Sequence, residues 1–142
     1  MKTLKIVSWI LRILASVILI QTLYFKFTAH PESVELFTKL GAEPWGRIGT
    51  GILELITGIL LLIPTTAFVG GLLGMGLMLG AIASHILVIG IESKGDGGQL
   101  FILAIIVLIC SVTIQFIHRK EGIAFAKKYL PKSITQFFIT TT

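Results

Sequence analysis

Four long apolar segments constrain the fold of this chain more than any other feature of its sequence. They lie at residues 6–25, 47–63, 67–91 and 100–117, with short polar breaks between them. A helix needs about 20 apolar residues to cross roughly 30 Å of hydrocarbon, and it must satisfy its backbone hydrogen bonds internally because lipid offers none. The sequence therefore predicts an all-α membrane protein, with residues 1–117 forming a bundle of four transmembrane helices.

The composition agrees with a membrane protein and argues against a nucleic-acid-binding one. Only 13% of the 142 residues are charged, whereas an ordinary soluble domain has about 25% charged residues. The net charge of +5 comes from basic residues at both ends of the chain, where they flank apolar segments and would face anionic lipid. The lipid bilayer is therefore the expected partner, and nucleic acid is not. The single cysteine, Cys110, rules out an intrachain disulfide and a Cys-x-x-Cys redox pair.

The distribution of lysine and arginine predicts the orientation of the helices. Positively charged residues near helix ends tend to stay in the cytoplasm, and here they gather before the first segment and after the fourth. They are Lys2 and Lys5 at one end, and Arg119, Lys120, Lys127, Lys128 and Lys132 at the other. We therefore expect both termini in the cytoplasm. The first segment is 20 residues long and no small-x-small cleavage site follows it, so it is expected to be a retained helix rather than a signal peptide.

The polar breaks predict how the helices are connected. Pro64 ends the second segment and leaves only a tight turn before the third, so these two helices are expected to be antiparallel neighbours. In the longer first loop, Val34, Phe37 and Leu40 recur at helical spacing. This spacing predicts a short interfacial helix, with a plain connecting loop as the alternative. Residues 118–142 form a basic cytoplasmic tail, expected to be either an amphipathic segment on the inner leaflet or a solvated chain.

Ionisable side chains within the predicted spans are the candidates for a functional site, because such groups are costly at hydrocarbon depth unless they are paired or hydrated. There are three of them, Arg12, Glu54 and His85. Arg12 begins a small and partly polar stripe on the first helix that ends at Lys26, which indicates a face turned toward protein. Glu54 shares its face with Gly51 and Gly58, which would let another helix approach the carboxylate.

Arg12 and Glu54 are predicted to form an interhelical ion pair, because counting residues from the predicted helix ends places them at similar depths. This pair would either belong to a ligand site or only hold the bundle together. His85 is predicted either to contact a proton or a ligand, such as a quinone carbonyl, or to donate to a backbone oxygen. The chain has three histidines and one distant cysteine, without the spacing of a metal-binding cluster, so no metal is predicted.

Glycines on the third span predict close helix packing. Gly70 and Gly74, and then Gly76 and Gly80, are each four residues apart and form two Gly-x-x-x-Gly elements. Such elements let the backbone of a neighbouring helix come close. The neighbour is expected to be either another helix of the same bundle or a second copy of the chain, so a homo-oligomer is one predicted assembly.

Several segments of the sequence resemble the DoxX and DoxX-like membrane proteins of bacteria. The resemblance rests on four features. They are Arg12 in the first span, the segment YFKFTAHPE just after that span, which contains Lys26, the segment GTGILELITGILLLIP in the second span, which contains Glu54, and GLMLGAIASH in the third span. It implies a four-helix bundle in the bacterial cytoplasmic (inner) membrane and a role as a partner or subunit in redox systems. In related proteins these include an oxidative-stress complex and a thiosulfate:quinone oxidoreductase. Because this chain has no thiol pair, disulfide chemistry cannot be carried over to it.

Two functions of different classes follow. In the first, the chain is a membrane subunit of a quinone-linked redox or oxidative-stress system. Arg12, Glu54 and His85 would line a cavity in the middle to outer half of the bundle, bind a quinone head group and relay protons, with Lys26 as a fourth candidate. In the second, the chain is a non-enzymatic scaffold or chaperone that binds partner proteins through its glycine faces, and a small-solute transporter is a weaker third alternative. The sequence contains no flavin, haem or metal motif, so electrons would come from redox partner proteins.

Overall fold

The helices of the protein follow the apolar segments of its sequence. A computed structural model describes residues 1–131. Its α-helices are α1 (Lys2–Phe27), α2 (Pro31–Lys39), α3 (Trp45–Leu62), α4 (Ala67–Ser84), α5 (Gln99–Ile117) and α6 (Arg119–Tyr129). A 3₁₀ turn at Pro64–Thr66 precedes α4, and a π-helical turn at His85–Ile89 follows it. Within residues 1–131, four helices are long and apolar enough to cross a membrane, namely α1, α3, α4 with its two flanking turns, and α5. The predicted all-α bundle of four transmembrane helices is therefore confirmed.

The first loop contains the predicted short helix, α2. Pro31 occupies its first turn, where a missing N–H costs nothing. The His30 side chain accepts a hydrogen bond from the Glu32 backbone N–H at 3.4 Å and so caps the helix start. Phe37 is buried and anchors α2 to the bundle. At the other end of the chain, α6 is the helical part of the predicted basic tail, and residues 132–142 of that tail lie outside the described residues.

The four long helices pack as a closed ring of neighbours. α1 contacts α3 and α5, and α4 contacts the same two helices from the opposite side. The helices alternate in direction, so the N-terminus, the turn at Pro64 and α6 share one face, which we call the N-terminal face. The opposite face carries α2 and the loop between α4 and α5, and we call it the loop face. The core between the helices contains Ala15, Ile18, Leu19, Leu61, Met78, Ala104, Val107, Cys110 and Ile114. Most other large apolar side chains point outward, as expected of surfaces that contact lipid.

The two Gly-x-x-x-Gly elements of α4 face different surroundings. A Cβ atom added to Gly70 would lie 2.8 Å from the backbone nitrogen of Leu61, and one added to Gly74 would lie 2.7 Å from the Oγ of Ser111. The first element therefore packs inside the bundle, against α3 and α5. A Cβ atom on Gly76 or Gly80 would meet nothing within 4 Å among the residues that the structure describes, so the second element lies on the outer surface.

Replacing Gly70 with alanine is expected to destabilise the bundle by about 1–3 kcal/mol, because the new methyl group would press against the backbone of α3, which cannot move aside as a flexible side chain can. Gly76→Ala is the matched control, since it adds the same methyl group to the same helix without a clash. Chemical denaturation of both variants in the same detergent measures the difference. Equal stability of the two variants would contradict the close contact between α3 and α4.

Two acidic side chains, Glu35 and Asp96, make ion pairs and hydrogen bonds on the loop face. Glu35 on α2 pairs with Lys94 at 2.5 Å and with Lys39 at 3.3 Å, and the hydrogen bond from Lys94 is the main reason that the pKa of Glu35 is lowered. Asp96 accepts hydrogen bonds from the backbone N–H groups of Ser93, Gly98 and Leu100. Burial acts to raise the pKa of Asp96, but these three bonds and the electrostatic interaction with His85 together outweigh it, and the pKa is lowered. Both carboxylates are therefore held in their charged form on this face.

Candidate functional site

Glu54 lies between α1 and α3, but its partner is Lys26 rather than Arg12. The Nζ atom of Lys26 lies 2.9 Å from Oε2 of Glu54, and their side chains are only 14% and 10% exposed. The hydroxyl of Thr22 donates to the same oxygen at 2.9 Å, and Lys26 also donates to Thr22 at 3.1 Å. The predicted ion pair between Arg12 and Glu54 is therefore wrong, because the guanidinium of Arg12 donates to the carbonyl of Leu61 instead.

The direction of helical side chains explains this exchange of partners. Side chains on a helix lean toward its N-terminus. On α1, Lys26 therefore leans down toward the centre of the bundle and Glu54, whereas Arg12 leans away from Glu54 toward the N-terminal face. α3 runs in the opposite direction, so Glu54 leans up toward Lys26. In addition, α1 extends past the end of α3 at the N-terminal face. Ser16 donates to the carbonyl of Gly58 and Arg12 to that of Leu61, so Arg12 is level with the end of α3, seven residues or about 10 Å from Glu54.

A second charged group joins the same two helices nearer the loop face. Arg47 is buried, with 6% of its surface exposed. Its Nε and Nη2 atoms donate to the carboxylate of Glu43 at 2.8–3.0 Å, and its Nη1 donates to the backbone carbonyl of Lys26. Arg47 thus connects the end of α1 to the start of α3. Its hydrogen-bonding groups are committed to these contacts.

His85 lies apart from both of these charged groups. It opens the π-helical turn after α4, where its Nδ1 atom lies 2.8 Å from the carbonyl oxygen of Gly90. Its ring also contacts Phe101 edge-on, with the ring centroids 5.8 Å apart. Gly90 adopts a φ of +92° at the end of this turn, a conformation that favours glycine. Within residues 1–131, Arg12, Glu54 and His85 share no hydrogen bond or ion pair, so they do not form the single convergent site that we expected.

Arg12 is the most deeply buried charged side chain on the N-terminal face, with 2% of its surface exposed. Its Nε atom donates to the carbonyl of Leu61, at the end of α3, where helix carbonyls have no partner of their own. The guanidinium also lies over the ring of Trp9, 4.2 Å from the ring centroid. Its Nη2 atom is buried and has no hydrogen-bond partner among residues 1–131. A buried donor without a partner is costly, which makes this atom a candidate ligand contact.

A cavity of about 500 Å³ opens beside Arg12, and we call it the Arg12 cavity. Its lining combines apolar and polar side chains from α1, the turn at Pro64, the end of α5 and the start of α6. The lining residues are Met1, Leu4, Lys5, Ser8, Trp9, Arg12, Pro64, Ile117, His118 and Glu121. Ligand cavities in proteins typically have volumes of roughly 300–1,000 Å³ and a few convergent polar groups. The Arg12 cavity has both properties.

Three polar residues of the Arg12 cavity are linked to one another. The hydroxyl of Ser8 lies 2.8 Å from Nε2 of His118, and Nδ1 of His118 contacts the carboxylate of Glu121. Glu121 also interacts electrostatically with Arg12. The link from Ser8 to His118 joins residues 110 positions apart in the sequence. α1 and the junction of α5 and α6 therefore build one polar site.

Four members of the site, Ser8, Trp9, His118 and Glu121, were not among the residues predicted from the sequence. Ser8 precedes Arg12 by four residues and so lies on the same face of α1, which is a signal that could have been used. His118 and Glu121 lie beyond the last apolar segment, where polar residues are ordinary. Among residues 1–131, no three histidine, cysteine, aspartate or glutamate side chains come together as a group that could hold a metal ion.

The family of the chain follows from its sequence. The model of the DoxX-like family matches residues 10–114, which is most of the four-helix bundle. The chain belongs to the DoxX-like family. No curated protein and no solved structure gives a significant match. With its four apolar helices, this DoxX-like protein is a multi-pass integral membrane protein.

The family match divides the Arg12 cavity of this DoxX-like protein into two parts. Trp9, Ser8, His118 and Glu121 lie outside the matched residues, whereas Arg12 lies within them. The ion pair of Lys26 and Glu54 also lies within them. The family match therefore includes Arg12 and the helices around it. The hydrogen-bonded group of Ser8, His118 and Glu121 lies outside that match.

Proposed function

We propose that this DoxX-like protein is a membrane subunit of a quinone-linked redox system and that a quinone head group occupies the Arg12 cavity. The observation that carries the proposal is the guanidinium of Arg12: Arg12 lines a cavity of about 500 Å³, and its buried Nη2 atom has no hydrogen-bond partner among residues 1–131. A quinone carbonyl is a hydrogen-bond acceptor, and it would satisfy this donor. The ring of Trp9 and the apolar side chain of Leu4 suit the flat, apolar remainder of a quinone ring.

The proposal places both termini in the cytoplasm of a bacterial cell, with the bundle in the inner membrane. The basic N-terminus and the basic helix α6 lie on the same face of the bundle, since residues from both line the Arg12 cavity. A shared basic face agrees with the tendency of lysine and arginine to remain in the cytoplasm. The Arg12 cavity would then lie in the cytoplasmic half of the bilayer.

Electron transfer in this proposal depends on another redox protein. The sequence has no flavin, haem or metal motif, and its single cysteine is buried in the core. The role of this chain would be to hold the quinone, exclude water from it and control its protons. The electrons themselves would pass between the quinone and a partner at the N-terminal face.

A scaffold that binds partner helices is the second candidate function. It is favoured by Gly76 and Gly80, which lie on the outer surface of α4 with open space where a side chain would be. A partner helix or a second copy could approach the backbone there. This function requires no ligand in the Arg12 cavity.

Quinone binding is tested with the two tryptophans of the chain. In the Trp45→Phe variant the remaining indole, Trp9, lines the Arg12 cavity, and a short-chain quinone in nanodiscs is expected to quench its fluorescence saturably at about one quinone per chain. In the control variant, Trp9→Phe, the remaining Trp45 is 82% exposed at the start of α3, and only linear, collisional quenching is expected. Mass spectrometry of gently extracted protein should also find bound quinone. Linear quenching in both variants, with no bound quinone, would favour the scaffold.

A further inference from the structure

The hydrogen-bonded group of Ser8, His118 and Glu121 beside the Arg12 cavity extends from exposed to buried surroundings. The side chain of Glu121 is 58% exposed and that of His118 is 12% exposed, whereas Ser8 is only 3% exposed. The three are connected in that order by the contacts of His118, whose Nδ1 meets Glu121 and whose Nε2 meets Ser8. A continuous line of hydrogen-bonding groups thus leads from the aqueous side of the N-terminal face into the cavity.

The chemistry of this hydrogen-bonded group suits proton transfer. An imidazole can receive a proton on one ring nitrogen and release one from the other. With Nδ1 protonated toward the carboxylate of Glu121, Nε2 is free to accept the hydroxyl proton of Ser8. Ser8 can in turn accept a proton from a group inside the cavity. The residues that line the cavity carry three cationic groups, the α-ammonium of Met1 and the side chains of Lys5 and Arg12, and Glu121 is the carboxylate in that lining.

We infer that Glu121, His118 and Ser8 form a proton path between the aqueous phase and a quinone bound in the Arg12 cavity. This inference rests on the proposed function. When a bound quinol is oxidised, both of its O–H bonds break, two electrons pass to the partner redox protein at the N-terminal face, which is thereby reduced, and two protons must leave as well. The protons pass to Ser8, from there to His118, and through Glu121 to water. Arg12 holds the quinone oxygen but, as a guanidinium, does not exchange the proton.

The path is tested by oxidising a bound short-chain quinol with ferricyanide, which takes one electron per ion, so two ferricyanide ions are reduced for each quinol. Stopped-flow absorbance follows the quinone, and a pH dye follows the two released protons. His118→Gln and Glu121→Gln are each expected to slow both signals by about 100-fold, the typical contribution of a positioned proton-transfer group. The Kd of the quinol should stay unchanged. Free imidazole is expected to restore much of the rate in His118→Ala, where it can replace the missing ring.

The matched control is Glu92→Gln, which neutralises an exposed carboxylate in the loop between α4 and α5, on the opposite face. It should leave both signals at the rate of the unmodified protein. Normal quinol binding with unchanged rates in His118→Gln and Glu121→Gln would overturn the proton path and leave the proposed function standing. Weakened binding in these variants without rescue by imidazole would show that His118 only shapes the junction of α5 and α6, and would also overturn the path. If no quinol binds to the unmodified protein, the proposed function fails and the path fails with it.

Discussion

Replacing Glu54 with leucine is expected to lower the free energy of unfolding by about 3–5 kcal/mol, the usual cost of removing one partner from a buried ion pair. The substitution would leave the ammonium of Lys26 between α1 and α3 with its side chain 14% exposed and only the hydroxyl of Thr22 beside it. Denaturation by sodium dodecyl sulfate, followed by circular dichroism, measures the loss.

A double variant separates the ion pair from the shape of the two side chains. In Lys26→Met/Glu54→Leu both charges are gone, and most of the lost stability is expected to return, because apolar replacements of a whole buried pair are often neutral or stabilising. Glu35→Leu, which breaks two more exposed pairs, with Lys39 and with Lys94, is the control and should change stability far less than Glu54→Leu. If Glu54→Leu is as stable as the unmodified protein, the contact of Glu54 with Lys26 does not hold the bundle together.

Replacing Arg12 with lysine is expected to weaken quinone binding by about 10- to 100-fold, which corresponds to the loss of one hydrogen bond from a charged group. Lysine keeps the positive charge and can still reach the carbonyl of Leu61, but it lacks the second arm of the guanidinium that lines the cavity. Folding should therefore change by less than about 1 kcal/mol. Saturable quenching of Trp9 in a Trp45→Phe background gives the affinity, and denaturation gives the stability.

Arg47→Lys is the matched control, because it makes the same chemical change at a second buried arginine. The guanidinium of Arg47 is committed to Glu43 and to the backbone of Lys26, near the loop face. This variant is expected to lose stability while its quinone affinity stays unchanged. The opposite pattern, with intact affinity in Arg12→Lys, would remove the argument that the Nη2 atom of Arg12 binds the ligand.

The helices of this protein could be predicted from sequence because membrane insertion depends on local properties. A segment crosses hydrocarbon if it is long and apolar enough, whatever its neighbours are. The four spans and the interfacial helix α2 follow from this rule and from the spacing of Val34, Phe37 and Leu40. The charged residues within the spans could also be recognised, since each is unusual at that depth.

The partners of those charged residues could not be predicted in the same way. Depth counted along two helices left Arg12 and Glu54 at similar levels, but α1 extends past the end of α3, and its side chains lean toward the N-terminus. Arg12 instead lies level with Leu61, seven residues or about 10 Å along α3 from Glu54. The pairing of Glu54 with Lys26 therefore became visible only when the helices were placed side by side.

The Arg12 cavity separates the two kinds of information most clearly. The sequence by itself determined the number of transmembrane helices, their alternating directions and the presence of a guanidinium within the first helix. Only the tertiary structure decided that α6 turns back over the N-terminal face, so that His118 meets Ser8 across 110 positions of sequence. Apolar length is a property of each segment alone, whereas a polar site between helices depends on how those helices are rotated and packed against one another.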